Sequence, residues 1–138
     1  MLLQGRLQLA TVYLTSVLKA NAPFDKGNLV ASIMYREIVG SYGLKYEVLI
    51  GGELVEYAAA TNEEWVAERW GGKTNPNQAW VERALSIATP TMKEMLKGAI
   101  DAEDIQVLIR EQESILQATR LARANELQAQ ENARRLRA

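Results

Sequence analysis

The chain contains no cysteine and no histidine. Those two absences exclude disulfide frameworks, thiolate zinc sites, imidazole general bases and cysteine nucleophiles together. Aromatics are sparse, with a single Phe, and no apolar run approaches the roughly 18–20 residues that a membrane span requires. Met1-Leu2-Leu3 gives way at once to Gln4-Gly5-Arg6, so no secretory h-region is expected and neither is a membrane partner. An excess of positive charge is also lacking. Sixteen Lys and Arg stand against seventeen Asp and Glu, for a net charge of −1, which leaves no global basic field to hold nucleic acid. What remains is 138 residues, 48% hydrophobic and 24% charged, the balance of one globular domain.

The charges that are present come in blocks. Residues 1–46 hold five bases and two acids, and 47–68 hold six Glu with no base. Residues 69–100 hold five bases and two acids, 101–116 five acids and one base, and 117–138 five Arg and two Glu. Alternating blocks suit surfaces that meet other surfaces, because opposite potentials steer and register partners. They also arise where secondary structure merely groups its solvated faces.

Periodicity predicts an α+β fold. Leu2, Leu3, Leu7, Ala10, Tyr13, Leu14, Val17 and Leu18 recur at three- and four-residue steps, which gives a helix over 2–20 with one broad apolar face. Pro23 stops it, Asp25-Lys26-Gly27 reads as a turn, and residues 28–33 as one short helical turn. Residues 33–39 and 44–50 are rich in β-formers and flank Gly40-Ser41-Tyr42-Gly43, an antiparallel hairpin over about 33–50 with a four-residue turn. A second helix is expected over 53–70. A third starts at Asn75, where Pro76 suits the first turn and Gln78 completes a capping box, and it kinks or restarts at Thr89-Pro90.

Beyond Asp101 there is no Gly, Pro or aromatic residue, only good helix formers with acids at the start and arginines at the end. The reading is a body over 1–100 and a long charged helical arm over 101–138. Leu108, Ile115, Ala122, Ala129 and Leu136 repeat every seven residues, a thin, Ala-lined seam, with Arg134 and Arg135 at the arm's end. Such a helix lies against a neighbour or projects.

Catalytic vocabulary is missing. Glu53/Glu56 and Glu63/Glu64/Glu68 are the carboxylate clusters, and they read as solvated helix faces; no metal or other cofactor is expected. The serines have no histidine to activate them, so the chain is not expected to be an enzyme. Tyr57, Trp65, Trp70 and Trp80 read as core or subunit-interface anchors.

One segment is more specific. Ala22-Pro23-Phe24-Asp25-Lys26-Gly27-Asn28-Leu29-Val30-Ala31-Ser32-Ile33 resembles the Ala-Pro-x-Asp/Lys-Thr-Gly-x-Leu-x-x-Ser-Ile signature of the small tail-completion (neck) proteins of long-tailed bacteriophages. Pro23, Asp25, Gly27, Leu29 and Ser32 carry the likeness, while Lys26 stands for the usual Thr and Asn28 for the usual Arg. The order of elements is also similar over about residues 1–100: a helix, the signature, a hairpin, a Tyr57-Ala58 helix, then a Pro76…Trp80…Ala84 segment. The Glu-Phe-Gly-Thr element of that family is replaced by Ala60-Thr61-Asn62-Glu63.

The resemblance implies a structural virion protein in the neck, assembled in the bacterial host cytoplasm. It would form a homo-oligomeric ring of six or twelve copies that completes the tail or joins it to the head. Its partners would be other neck, connector and tail-tube proteins, with genomic DNA in transit through the lumen. Glu56, Glu63 and Glu64 would repel phosphates if they faced that lumen. Helix 101–138 would grip a neighbouring ring, and truncation at Gly98 would leave a folded body that assembles poorly. The alternative is a DNA-binding or regulatory module using the Arg-rich helix, dimeric through the Ala-lined seam.

Overall fold

A computed structural model describes residues 3–23, 28–41, 43–51 and 79–137. In chain order these form α1 (Leu3–Asn21), α2 (Asn28–Ser32), β1 (Met34–Gly40), β2 (Gly43–Leu49), α3 (Trp80–Lys97) and α4 (Ala102–Arg137). The architecture is α+β, a two-stranded antiparallel sheet packed with helices and followed by one long helix. The helix expected over 53–70 lies outside the described residues, as do Asp25 and Gly27 of the turn.

α1 is the hub. α3 and α4 each pack along it rather than on one another, and the base of the hairpin also meets it. A helix with two helical neighbours needs more than one apolar stripe, and the burial shows this. Ala10, Tyr13, Val17 and Leu18 are buried, and so are Thr11, Thr15 and Ser16. Small residues let neighbouring backbones approach, but three buried hydroxyls would be costly if left unpaired. Each donates to a carbonyl of the preceding turn: Thr11 to Leu7 (2.8 Å), Thr15 to Thr11 (2.9 Å) and Ser16 to Tyr13 (2.7 Å). The single broad apolar face expected for this helix is therefore widened by hydroxyl residues that satisfy themselves locally.

The core continues through Leu29 and Val30 of α2, Ile33, Trp80, Ala84, Ala88 and Met95 of α3, and Ile105, Ile109 and Leu116 of α4. Trp80 is fully buried, so of its two expected roles it takes the core one.

α3 corrects two expectations. It begins at Trp80, not Asn75; its N-cap, Ala79, is left-handed (φ 58°) and caps with no side chain, while residues 75–78 lie outside the described set. Nor does it restart at Pro90, which sits inside one continuous helix. Pro90 is exposed, so the carbonyl it leaves without an N–H faces water, and the Thr89 hydroxyl donates to the Leu85 carbonyl (2.6 Å). The helix ends in a Schellman motif on Gly98 (φ 78°), with Gly98 N–H on Met95 O and Ala99 N–H on Glu94 O. The Arg6 guanidinium lies against Gly98, where a Cβ would come within 2.8 Å of it and where a cation complements the helix C-terminus. Three residues later Asp101 caps α4, its carboxylate accepting from Asp104 N–H at 2.9 Å.

The start of α4 is thus tied to the start of α1. Leu116 and Lys19 line one cleft further along, so the two helices run in the same direction. α4 has 36 residues and α1 has 19, so α4 continues roughly 25 Å past the end of its neighbour at 1.5 Å per residue. Ile105, Ile109 and Leu116 belong to the body's core, and the solvated part of the helix follows them.

Candidate assembly surface

The signature segment builds a latch. Leu29, Val30 and Ile33 drop into the core, which places Ser32 at the junction of α2, β1 and the end of β2. The Ser32 hydroxyl donates to Leu29 O (2.6 Å) and accepts from Gly51 N–H (3.0 Å). Gly51 has φ 92°, a left-handed conformation that glycine adopts without strain. Pro23 is half-buried just after α1, where Ala22 N–H still reaches Leu18 O. Of the five signature positions, Pro23, Leu29 and Ser32 are therefore structural in the described residues.

From this latch the hairpin reaches outward. Its register runs from Met34↔Leu49 to Gly40↔Gly43, so each strand is extended to a glycine and only two residues join them, not four. Val48 and Ile50 pack on the core, whereas Met34 at the base and Val39 near the tip are 58% and 79% exposed. Arg36 and Glu47 face each other across the strands. Arg36 donates to one Glu47 oxygen through Nε (3.0 Å) and Nη2 (2.8 Å), and Lys45 approaches the other at 3.4 Å. These two hydrogen-bonding cations hold the Glu47 carboxyl below its ordinary value. On the other face the Tyr35 and Tyr46 rings are tilted 52° at 6.3 Å. Loss of water raises the Tyr46 phenol above its ordinary value, with Glu37 and Tyr35 adding to the effect.

Between α1, the start of β1 and α4 lies a cleft of about 360 Å³. Its floor is apolar (Val12, Ile109, Leu116), and its rim carries Lys19, Gln112 and Glu113. Thr15 and Ser16 also line it, but their protons are committed to backbone carbonyls. That leaves no activated nucleophile there. Among the described residues no three His, Cys, Asp or Glu side chains group to hold a metal ion, and no helix is long and apolar enough to cross a membrane.

The distal half of α4 is the other large exposed element. Leu121, Leu127 and Leu136 are 63%, 46% and 88% exposed. Of the seam residues only Leu108 packs against the core. Leu108 is half-buried, and Ile115, Ala122 and Ala129 are exposed; the contact is made one position later in the sequence, by Ile109 and Leu116. Arg134 and Arg135 are exposed, and both approach Glu131 (3.6 and 3.4 Å); Arg123 pairs with Glu126 at 3.0 Å. Tyr57, Trp65, Trp70 and the lumen candidates Glu56, Glu63 and Glu64 lie outside the described residues.

Sequence reasoning missed the core stripe of α4, although Ile105, Ile109 and Leu116 follow the Asp101 cap at helical spacing. It also missed the Ser32 latch, which has no local signal because its partner is 19 residues away. No family model matches the chain, and neither a curated protein nor a solved structure is significantly similar to it.

Proposed function

We propose that the chain is a structural subunit of a tailed-bacteriophage neck, which works by assembling with copies of itself into a ring that completes the tail or joins it to the head. The observation that carries this reading is the exposed apolar surface of the two projecting elements. Val39 near the hairpin tip and Leu121, Leu127 and Leu136 on the distal half of α4 are exposed on extensions that the body does not cover, and Met34 and Ile115 are exposed closer in. Exposed apolar residues gathered on projecting elements suit contact with another chain.

A ring needs a heterologous contact whose rotation closes, and the alternating charge blocks supply complementary sides for it. The succession of helix, signature, hairpin and helix is the order that the resemblance implies, which adds support. The arginines of α4 lend less to a DNA-binding reading, because Arg134 and Arg135 share Glu131, and Arg123 is paired as well.

Negative-stain images and mass photometry of the purified chain test the proposal. Closed rings are the expected result, and a stable monomer at high concentration overturns it. Retention of duplex DNA at moderate salt by such a monomer would favour the DNA-binding module. If Glu56, Glu63 and Glu64 line the lumen, reversing them to Lys hinders DNA passage while rings still form.

A further inference from the structure

α4 carries two apolar stripes, and only one meets the body. Ile105, Ile109 and Leu116 face α1. The second stripe steps by seven residues through Leu108, Ile115, Ala122, Ala129 and Leu136, about 100° around the helix from the first. α3 packs mainly on α1, and the cleft between α1 and α4 is lined by Ile109, Gln112, Glu113 and Leu116 rather than by residues of the second stripe. Within this stripe Leu108 packs in part against the core, but Ala122, Ala129 and Leu136 are exposed. Ile115 is 50% exposed.

We propose that this stripe is the contact face for a second copy of the same chain, with the two α4 helices antiparallel and their two-fold axis at Ala122. Charge selects both the occupant and its direction. Residues 101–116 hold five acids and one base, and 117–137 hold five arginines and two glutamates. Glu103, Asp104, Glu111 and Glu113 make no ion pair among the described residues, while Arg134 and Arg135 must share one carboxylate. A parallel pair stacks like charge on like charge along its whole length. An antiparallel pair sets the acidic half of each helix against the basic half of the other, and it also opposes the helix dipoles.

Side-chain size selects the register. With the axis at Ala122, the smallest side chain falls where the two helices come closest. Ile115 of each copy then meets Ala129 of the other, and Leu108 meets Leu136 at both ends. Glu111, which lies within the stripe, falls level with Ala133 of the other copy, near Arg135 and Arg137. Such a contact is isologous and closes at two copies, so it is separate from the heterologous contact that a ring requires and does not rest on it.

The chain has no cysteine, so single introduced cysteines report self-contact without background. In the full-length protein, Ala122→Cys is expected to form a covalent dimer on mild oxidation, because a residue on a two-fold axis meets its own copy. Ala129→Cys alone is not, since its copies stand roughly 20 Å apart along the pair. Mixed Ile115→Cys and Ala129→Cys chains are expected to cross-link to each other. Glu111→Arg is expected to weaken the dimer about tenfold, the scale of one lost charge contact, and Glu111→Arg with Arg135→Glu and Arg137→Glu to restore it. An Ala122→Cys chain that stays monomeric overturns the proposal, as does Ala129→Cys cross-linking as readily as Ala122→Cys. Rings without the Ala122→Cys cross-link end this proposal and leave the neck reading standing; a cross-linked dimer that never forms rings does the reverse.

Discussion

The two ends of α4 belong to one unbroken helix, yet they live in different surroundings. From Ala102 to about Thr119 the helix lies on α1 and contributes Ile105, Ile109 and Leu116 to the core. From there to Arg137 its leucines face water, and its order comes from helix propensity and from pairs such as Arg123–Glu126. The hairpin repeats the contrast on a smaller scale. Its base is pinned by Ser32, Val48 and Ile50, and Val39 near its tip is bare. In both elements local sequence makes the secondary structure, but only a stripe matched to α1 makes it part of the body. The rest is surface extended toward something else.

Truncation breaks the contrast most severely. Ending the chain at Gly98 removes three core residues, and loss of cooperative unfolding by circular dichroism is the expected outcome; the sequence alone had suggested a folded body. Ending it after Thr119 removes only the solvated half, so the thermal transition should survive. A cooperative transition in the Gly98 truncation would show that α4 is an appendage after all. Point substitutions sharpen the same comparison. Ile105→Ala should cost about 2–5 kcal/mol in chemical denaturation, as expected for a fully buried aliphatic side chain. Leu136→Ala, at 88% exposure, should stay within about 0.5 kcal/mol. Equal costs at the two sites would erase the distinction.

These values also show what was legible in the sequence and what was not. The hairpin was legible because alternation from Leu44 to Ile50 and paired glycines are local signals, and the long helix because nothing in 102–137 interrupts it. The face that α4 turns to the body was not. Two seven-residue stripes lie side by side, Leu108/Ile115 and Ile109/Leu116, and periodicity cannot say which one meets α1. Burial of Thr11, Thr15 and Ser16 was hidden for a related reason: a hydroxyl that bonds its own helix behaves as a small core residue, although its side chain is polar. The start of α3 was misplaced because an N-cap in the left-handed region at Ala79 carries no sequence signature.

At the base of the hairpin the effect is smaller. Ser32→Ala leaves Gly51 N–H without its acceptor, and because both groups are partly buried the expected cost is about 1–2 kcal/mol. Amide exchange at Gly51 should accelerate in that variant while exchange along α1 is unchanged. Unaltered Gly51 protection would mean that the hydroxyl is not what fixes the strand end.

The smallest effect belongs to Glu47, midway along the hairpin, and its sign follows from the side chains around it. Arg36, then Lys45, hydrogen-bond the carboxylate and hold its folded value below the ordinary 4.5. The folded state therefore favours the ionised form. The associated stability is present above the unfolded glutamate value and is lost as pH falls through the lowered folded one. Because Arg36 and Lys45 are well exposed, solvent and salt screen the contribution, and it should shrink further at high ionic strength. Wild-type protein and Glu47→Gln should differ in thermal stability at neutral pH and converge as acid protonates Glu47. Curves that stay parallel throughout would mean that the Arg36–Glu47 pair orders the strands without stabilising them, and that the hairpin owes its place to the latch at its base alone.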